Sequence, residues 1–238
     1  MADDWILSRL LYRDALMLVI DKPAGLPVHP GPKGGETLVH HLDGLRFGLP
    51  RRPEVAHRLD KDTSGCLVLG RHPKALARLG DLFKRGEVDK IYWAVVEGGP
   101  REEEGEIALK LAPKCPDRGW WMKVDPAGQK ALTRWRTLGR AGGLTLLELS
   151  PITGRTHQLR VHCAASGFPI LGDPIYGTAP RQGGPGLHLH ARSIAVPLYP
   201  KKPAILVEAP VPEHMRERVA ACGGETDAVG GSNPQPSS

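Results

Sequence analysis

Apolar residues fall along this chain in short runs whose period changes several times. ALMLVIDKP at 15–23 is almost continuously apolar and ends at Lys-Pro, which reads as a buried strand stopped before the proline. CLVLGR at 66–71 is a second such strand. Pro and Gly recur through 24–36, which marks a loop, and TLVHHLDGLRFG at 37–48 predicts a helix. PKALARLGDLFKRGEV at 73–88 is the clearest amphipathic helix: Ala75, Leu79, Leu82 and Phe83 share one face, and Gly86 is its stop. KIYWAVVEG at 90–98 reads as a strand, and 99–131 as hairpin material around GEIALKLAP and WWMKVD. ALTRWRTLGR and GLTLLELSP form a strand pair joined through Ala-Gly-Gly. RTHQLRVHCAASG predicts a helix of about three turns ending at Gly167. Closing strands are expected near 188–209. Strands outnumber helices and mostly follow hairpins, so the expected class is α+β with a mixed, mainly antiparallel sheet. Residues 1–12 read as a lead-in, 13–220 as one folded domain, and 221–238, rich in Gly, Ser, Pro and Asn, as a disordered tail.

HRLDKDTSG at 57–65 is the most informative segment. Arg58 and Asp60 stand two positions apart on an extended stretch, so both point to one face with Leu59 packed behind. Thr63, Ser64 and Gly65 supply turn chemistry. An acid presented beside a base-rich turn suits attack on an anionic polymer, although an isolated Arg-x-Asp is more often a solvated loop. The nonapeptide resembles the catalytic signature of RNA pseudouridine synthases of the RluA type. Other stretches agree in order. DKPAGLPVHPG at 21–31 resembles the strand and turn that lead to the family's active site. KIYWAVVEG resembles its Lys-x-Tyr strand. PITGRTHQLRVHCAASGFPILGDPIYG at 151–177 resembles its third catalytic stretch and the loop after it, and LHLHARSIAVP at 187–197 adds a closing strand. Many relatives carry an RNA-binding module of the S4 type ahead of the catalytic part. Here the first strand starts by residue 15, so the resemblance is to minimal, one-domain members.

The resemblance implies the pseudouridine synthase fold, with a cleft across the middle of the sheet. It also implies an isomerase acting on uridines of structured RNA, ribosomal or transfer. The reaction detaches uracil at N1, rotates it and rejoins it through C5. The RNA neither gains nor loses atoms overall, so neither a cofactor nor a metal is expected. The family pattern places the catalytic carboxylate at Asp60, as nucleophile or as proton-abstracting base on the ribose. It places a partner guanidinium at Arg160, because a charge beside a carboxylate favours its ionised form and orients it. Tyr92 is the aromatic platform for the base, with Leu159 packing beneath it. Lys90 is expected to meet phosphate. Arg58 is suited to fill the space of a base extruded from its stack. His57 supports the turn and belongs with the substrate-binding residues. Arg155 is the runner-up to Arg160. It lies about 140° away on an ideal helix, so it is expected to meet phosphate instead.

Charge agrees with an RNA partner without proving one. The formal net charge is +6. Residues 46–90 hold 11 Lys+Arg against 6 Asp+Glu, and 114–140 hold 7 against 2. Arg51, Arg52, Lys84, Arg85 and Lys123 are the candidate phosphate contacts. The cysteines at 66, 115, 163 and 222 have no paired spacing, which argues against a zinc ribbon or a disulfide framework. His40, His41, His157, His162, His188 and His190 raise the rival reading of a metal site, but no carboxylate–histidine constellation accompanies them. No stretch reaches transmembrane length and no secretory pattern opens the chain, so a soluble, cytoplasmic protein is expected; it is also expected to be a monomer. A non-catalytic RNA-binding protein using the same cleft is the alternative. The presence of Asp60, Tyr92 and Arg160 together argues against it.

Overall fold

The computed structural model describes residues 4–31, 34–115 and 121–227, and the chain groups into two units. The first gathers Met1–Asp89, Ala191–Val211 and Asp227–Ser238, and the second Lys90–His190 and Pro212–Thr226. The sequence reading expected one domain and drew no division at Asp89.

In the first unit a short helix α1 (Asp4–Leu7) precedes β1 (Leu10–Arg13), β2 (Met17–Lys22), the two-residue β3 (Glu54–Val55) and β4 (Ser64–Gly70). β2 pairs antiparallel with both β1 and β4. β2 and β4 are the two continuous apolar runs. Their residues are buried on both faces, which is why they show no alternation. The helix α2 (Pro73–Arg85) ends at Gly86 as its sequence requires, and it buries Ala75, Leu79 and Leu82. Leu79 and Leu82 join Met17, Val19, Cys66, Val68 and Ile194 in one core, with Phe83 packed at its edge. From Ala191 onward β11 (Leu189–Val196) belongs here and pairs antiparallel with β12 (Ile205–Glu208). Gly65 does more than make a turn. Its φ is +103°, and a Cβ there would lie 2.3 Å from the Ala191 carbonyl oxygen, so only glycine lets these backbones approach.

The second unit is a meander. β5 (Asp89–Glu97, in this unit from Lys90) pairs with β10 (Leu144–Pro151), β10 with β9 (Thr133–Ala141), and β9 with β6 (Glu104–Ile107), all antiparallel. The tight β9–β10 turn uses Gly142 and Gly143, both at positive φ, as a two-residue hairpin demands. A separate small hairpin, β7 (Leu111–Pro113) with β8 (Met122–Val124), comes from the stretch read as hairpin material. The helix α3 (Gln158–Ala165) buries Leu159 and Cys163 against Ala94, Leu147, Leu149 and Phe168. The helix α4 (Glu213–Ala221) buries Met215 and Val219.

Three expectations change. Residues 37–48 do not form one helix. They make two short 3-10 turns, Leu38–His40 and Leu42–Leu45, ending in a bend where Phe47 takes φ 45°. α3 is shorter than about three turns. His157 adopts a left-handed conformation, so the helix starts at Gln158, whose side chain takes the Arg155 N–H instead. The tail begins later than 221: Cys222 is buried, and the Asp227 carbonyl accepts from Arg192. Residues 228–238 lie outside the described residues.

Candidate active site

In the first unit the turn bearing Asp60 is fixed by backbone bonds and one buried amine. Thr63 N–H donates to the Asp60 carbonyl, and Leu59 is buried behind while Arg58 is exposed. The alternation expected from an extended Arg-Leu-Asp therefore holds. His57 accepts from Val68 N–H at 3.0 Å and stacks on Phe83 at 4.4 Å, so it ties the turn to β4 and α2.

The residue missed here is Lys22. Its side chain has no exposed surface, and its ammonium donates to the carbonyls of Pro23, Leu26 and Lys61 at 2.8–3.0 Å. The Lys61 carbonyl also accepts from Gly25 N–H, so the loop after β2 is stitched to the residue following Asp60. Burial pulls the Lys22 pKa down to about 8, against the carboxylates of Asp62, Asp60 and Asp21, which hold it up. The Lys-Pro that ends the first apolar run read only as a strand stop. A lysine closing a wholly buried strand was the available signal.

The second unit carries the other expected residues. Tyr92 is half-buried on β5 opposite Leu149 and packs on the apolar cluster that contains Leu159. Lys90 is the second residue of β5 and is half-buried. Arg160, on α3, is buried, and its Nε and Nη2 donate to the two oxygens of Asp173 at 2.8 and 2.7 Å. Side-chain exposures of 2% and 1% put this pair among the most buried charges of the chain. Burial alone would raise the Asp173 carboxyl. The guanidinium and the N–H groups of Ile175 and Tyr176 outweigh it and hold the pKa below the ordinary value. The Tyr176 ring lies 5.3 Å from the Arg160 carbon, and its hydroxyl meets His157 at 2.8 Å and accepts from Met122 N–H. Asp173 and Tyr176 stood inside the recognised stretch without a role. A buried arginine needs a carboxylate of its own, and that need was the missed signal.

A satisfied polar network sets the helix that presents Arg160. The Gln158 amide donates to Leu132 carbonyl and Thr133 hydroxyl and accepts from Thr153 hydroxyl and Arg155 N–H. His162 donates from Nε2 to the Leu109 carbonyl, and Nδ1 bonds Thr133. Burial lowers the His162 pKa, against the Leu109 carbonyl, which raises it. Arg155 precedes the helix rather than sharing it, so the angular argument that separated it from Arg160 does not apply. Its Nε donates to the Lys130 carbonyl, and it lines a cleft of about 480 Å³ with Leu111, Met122 and Gln129.

The histidines of the rival reading are engaged elsewhere. His162 is as above, His188 bonds the Gly186 carbonyl and meets His214 edge-on, and His41 pairs with Glu36. The second basic stretch is largely answered by acid, with Arg134, Arg136 and Arg140 paired to Glu106, Glu148 and Glu103. Among the candidate phosphate contacts, Arg52, Arg85 and Lys123 also have acidic neighbours. No described helix is long and apolar enough to cross a membrane.

The fold matches that of solved pseudouridylate synthase domains. The human RNA pseudouridylate synthase domain containing 4 superposes with a TM-score of 0.78 at 27% identity, covering 95% of this chain and 97% of that one. The corresponding human domain containing 1 gives 0.70 at 25%, covering 92% and 96%. Residues 16–165 match the family model described as RNA pseudouridylate synthase. An uncharacterized RNA pseudouridine synthase of Zymomonas mobilis is 46% identical over 87% of this chain and 94% of its own length. A ribosomal large subunit pseudouridine synthase D of Borreliella burgdorferi is 38% identical over 71% of this chain and 54% of its own. The chain belongs to the RNA pseudouridylate synthase family, in its RluA-type branch. It is accordingly an RNA-modifying isomerase.

Proposed function

We propose that this enzyme converts specific uridines of structured RNA, ribosomal or transfer, to pseudouridine, with Asp60 as the catalytic carboxylate. The observation that carries the assignment is the Asp60 turn. A half-buried carboxylate is presented beside an exposed Arg58, on a loop that a buried ammonium holds still. Such preorganisation suits a group that must act at the ribose carbon or its neighbouring proton. Arg160 provides the guanidinium that the family resemblance assigns to that carboxylate, and its buried ion pair keeps it charged and fixed in orientation. Tyr92 serves as the platform for detached uracil, with Leu159 below, while Lys90 and Arg155 meet phosphate. Arg58 fills the space the base leaves. In the reaction the bond from ribose C1′ to N1 breaks, a bond from C1′ to C5 forms, and the C5 proton is lost to solvent as N1 gains one.

Pseudouridine mapping across total RNA, from cells with and without the gene, tests the substrate. A site that vanishes with the gene and returns with the wild-type chain identifies the RNA. An unchanged map contradicts the proposal.

A further inference from the structure

We propose that Arg13, Arg71 and Phe47 form a binding site for an RNA phosphodiester, far along the first unit from Asp60. The inference rests on RNA being the partner, and the site is separate from the residues given catalytic roles above. Arg13 ends β1 and Arg71 follows β4, so both stand at the Met17 end of β2. Their guanidinium carbons lie 4.4 and 6.0 Å from the centre of one ring, that of Phe47. Among the described residues neither guanidinium has a carboxylate within 4.0 Å, in contrast to the paired arginines of β9. Asp14 is nearby, but its carboxylate is occupied by the hydroxyls of Tyr12 and Tyr199 and the N–H groups of Leu16 and Met17. Arg71 donates from Nη1 to the Asp14 carbonyl at 2.6 Å, while its buried Nε has no partner among the described residues. Burial and the Arg13 charge both push its pKa down, and the Asp14 carboxylate only partly offsets them. Phe47 holds its ring there from a φ of 45°, a conformation a bulky residue adopts only at a cost. Two adjacent guanidinia, that of Arg13 exposed, make a seat for one anionic oxygen pair.

Position gives the site its meaning. β4 runs from Ser64, just after the Asp60 turn, to Gly70, just before Arg71. At about 3.3 Å per residue, the site lies about 20 Å along the strand from that turn. It would therefore hold RNA flanking the target uridine rather than the uridine itself.

The test compares fluorescein-labelled oligouridylates on the full chain. One probe spans about 20 Å either side of its middle nucleotide, and the other is a trinucleotide. Arg13→Ala is the primary variant, because Arg13 is exposed and ends a strand. It should weaken the long probe about fivefold and lower its salt slope by about 0.7, with the trinucleotide unchanged. Arg13→Lys should recover most of the loss, and Arg13→Glu should exceed it. Equal long-probe affinity for wild type and Arg13→Ala overturns the proposal, as does an equal loss on both probes. These readouts are binding alone, so a failed assignment of Asp60 leaves them intact.

Discussion

The Asp60 turn and the Arg160 helix fix a charged group by opposite means. Asp60 stays half-buried, and the turn that carries it is held through backbone: a Thr63 N–H on its carbonyl, and the carbonyls of Pro23, Leu26 and Lys61 gathered by Lys22. Arg160 is withdrawn from water, and side chains surround it: Asp173, Tyr176 and the Gln158–Thr133–His162 network. In the role proposed for Asp60 a reacting group needs access, so its support comes from behind. A group that only supplies charge can be buried, where its partner and orientation are fixed at a desolvation cost. The contrast teaches that substitutions in the two regions should separate activity from stability.

The largest stability effect is expected from splitting the buried pair. Asp173→Asn leaves an uncompensated guanidinium and should cost about 3–5 kcal/mol in urea unfolding. A loss below about 1 kcal/mol would break the comparison, since the pair would then behave like a surface bridge. Lys22→Met should cost less, about 2 kcal/mol, because carbonyls rather than a charge lose their donor. It should also lower kcat while leaving RNA affinity nearly unchanged, because it loosens the Asp60 turn; a variant with normal kcat would show that the turn holds its own shape.

The pH dependence sharpens the same contrast. Folding lowers the pKa of His162 and of His188, in each case first through burial. The unfolded chain then binds more protons, so stability should fall as pH drops below about 6.5. Asp173, also lowered on folding, should add a second loss as pH falls through about 4 and below. Thermal unfolding from pH 8 to 3 measures both, and His162→Gln should flatten the first step. The smallest effect belongs to the exposed Arg58. Arg58→Ala should leave stability within about 0.5 kcal/mol. It should reduce turnover more on an RNA whose target uridine is stacked than on one where it is already free. Equal losses would make Arg58 only a phosphate contact.

Much of this was legible in the chain because strands and one helix announce themselves by period. The buried runs at β2 and β4, the amphipathic α2 and the Gly-Gly hairpin are local facts. The roles proposed for Asp60, Tyr92 and Arg160 come from motif spacing. Lys22, Asp173 and Tyr176 were not assigned roles, although each stood in a recognised stretch. Their parts depend on carbonyls and partners far away in sequence, such as Lys22 with Lys61. The start of α3 was misplaced for a related reason: the Gln158 side chain captures the Arg155 N–H, and no periodicity reports such a bond. The arginines of β9 looked like an RNA surface by count, and only strand register set glutamates beside them.

The central claim is that the Asp60 carboxylate performs the chemistry while the rest of the turn holds it in place. Asp60→Asn keeps size and removes the charge. Release of tritium from C5-labelled uridine should fall at least about 1,000-fold, with RNA affinity and the urea midpoint unchanged. Tritium release within about tenfold of wild type, from a folded Asp60→Asn protein, would contradict it.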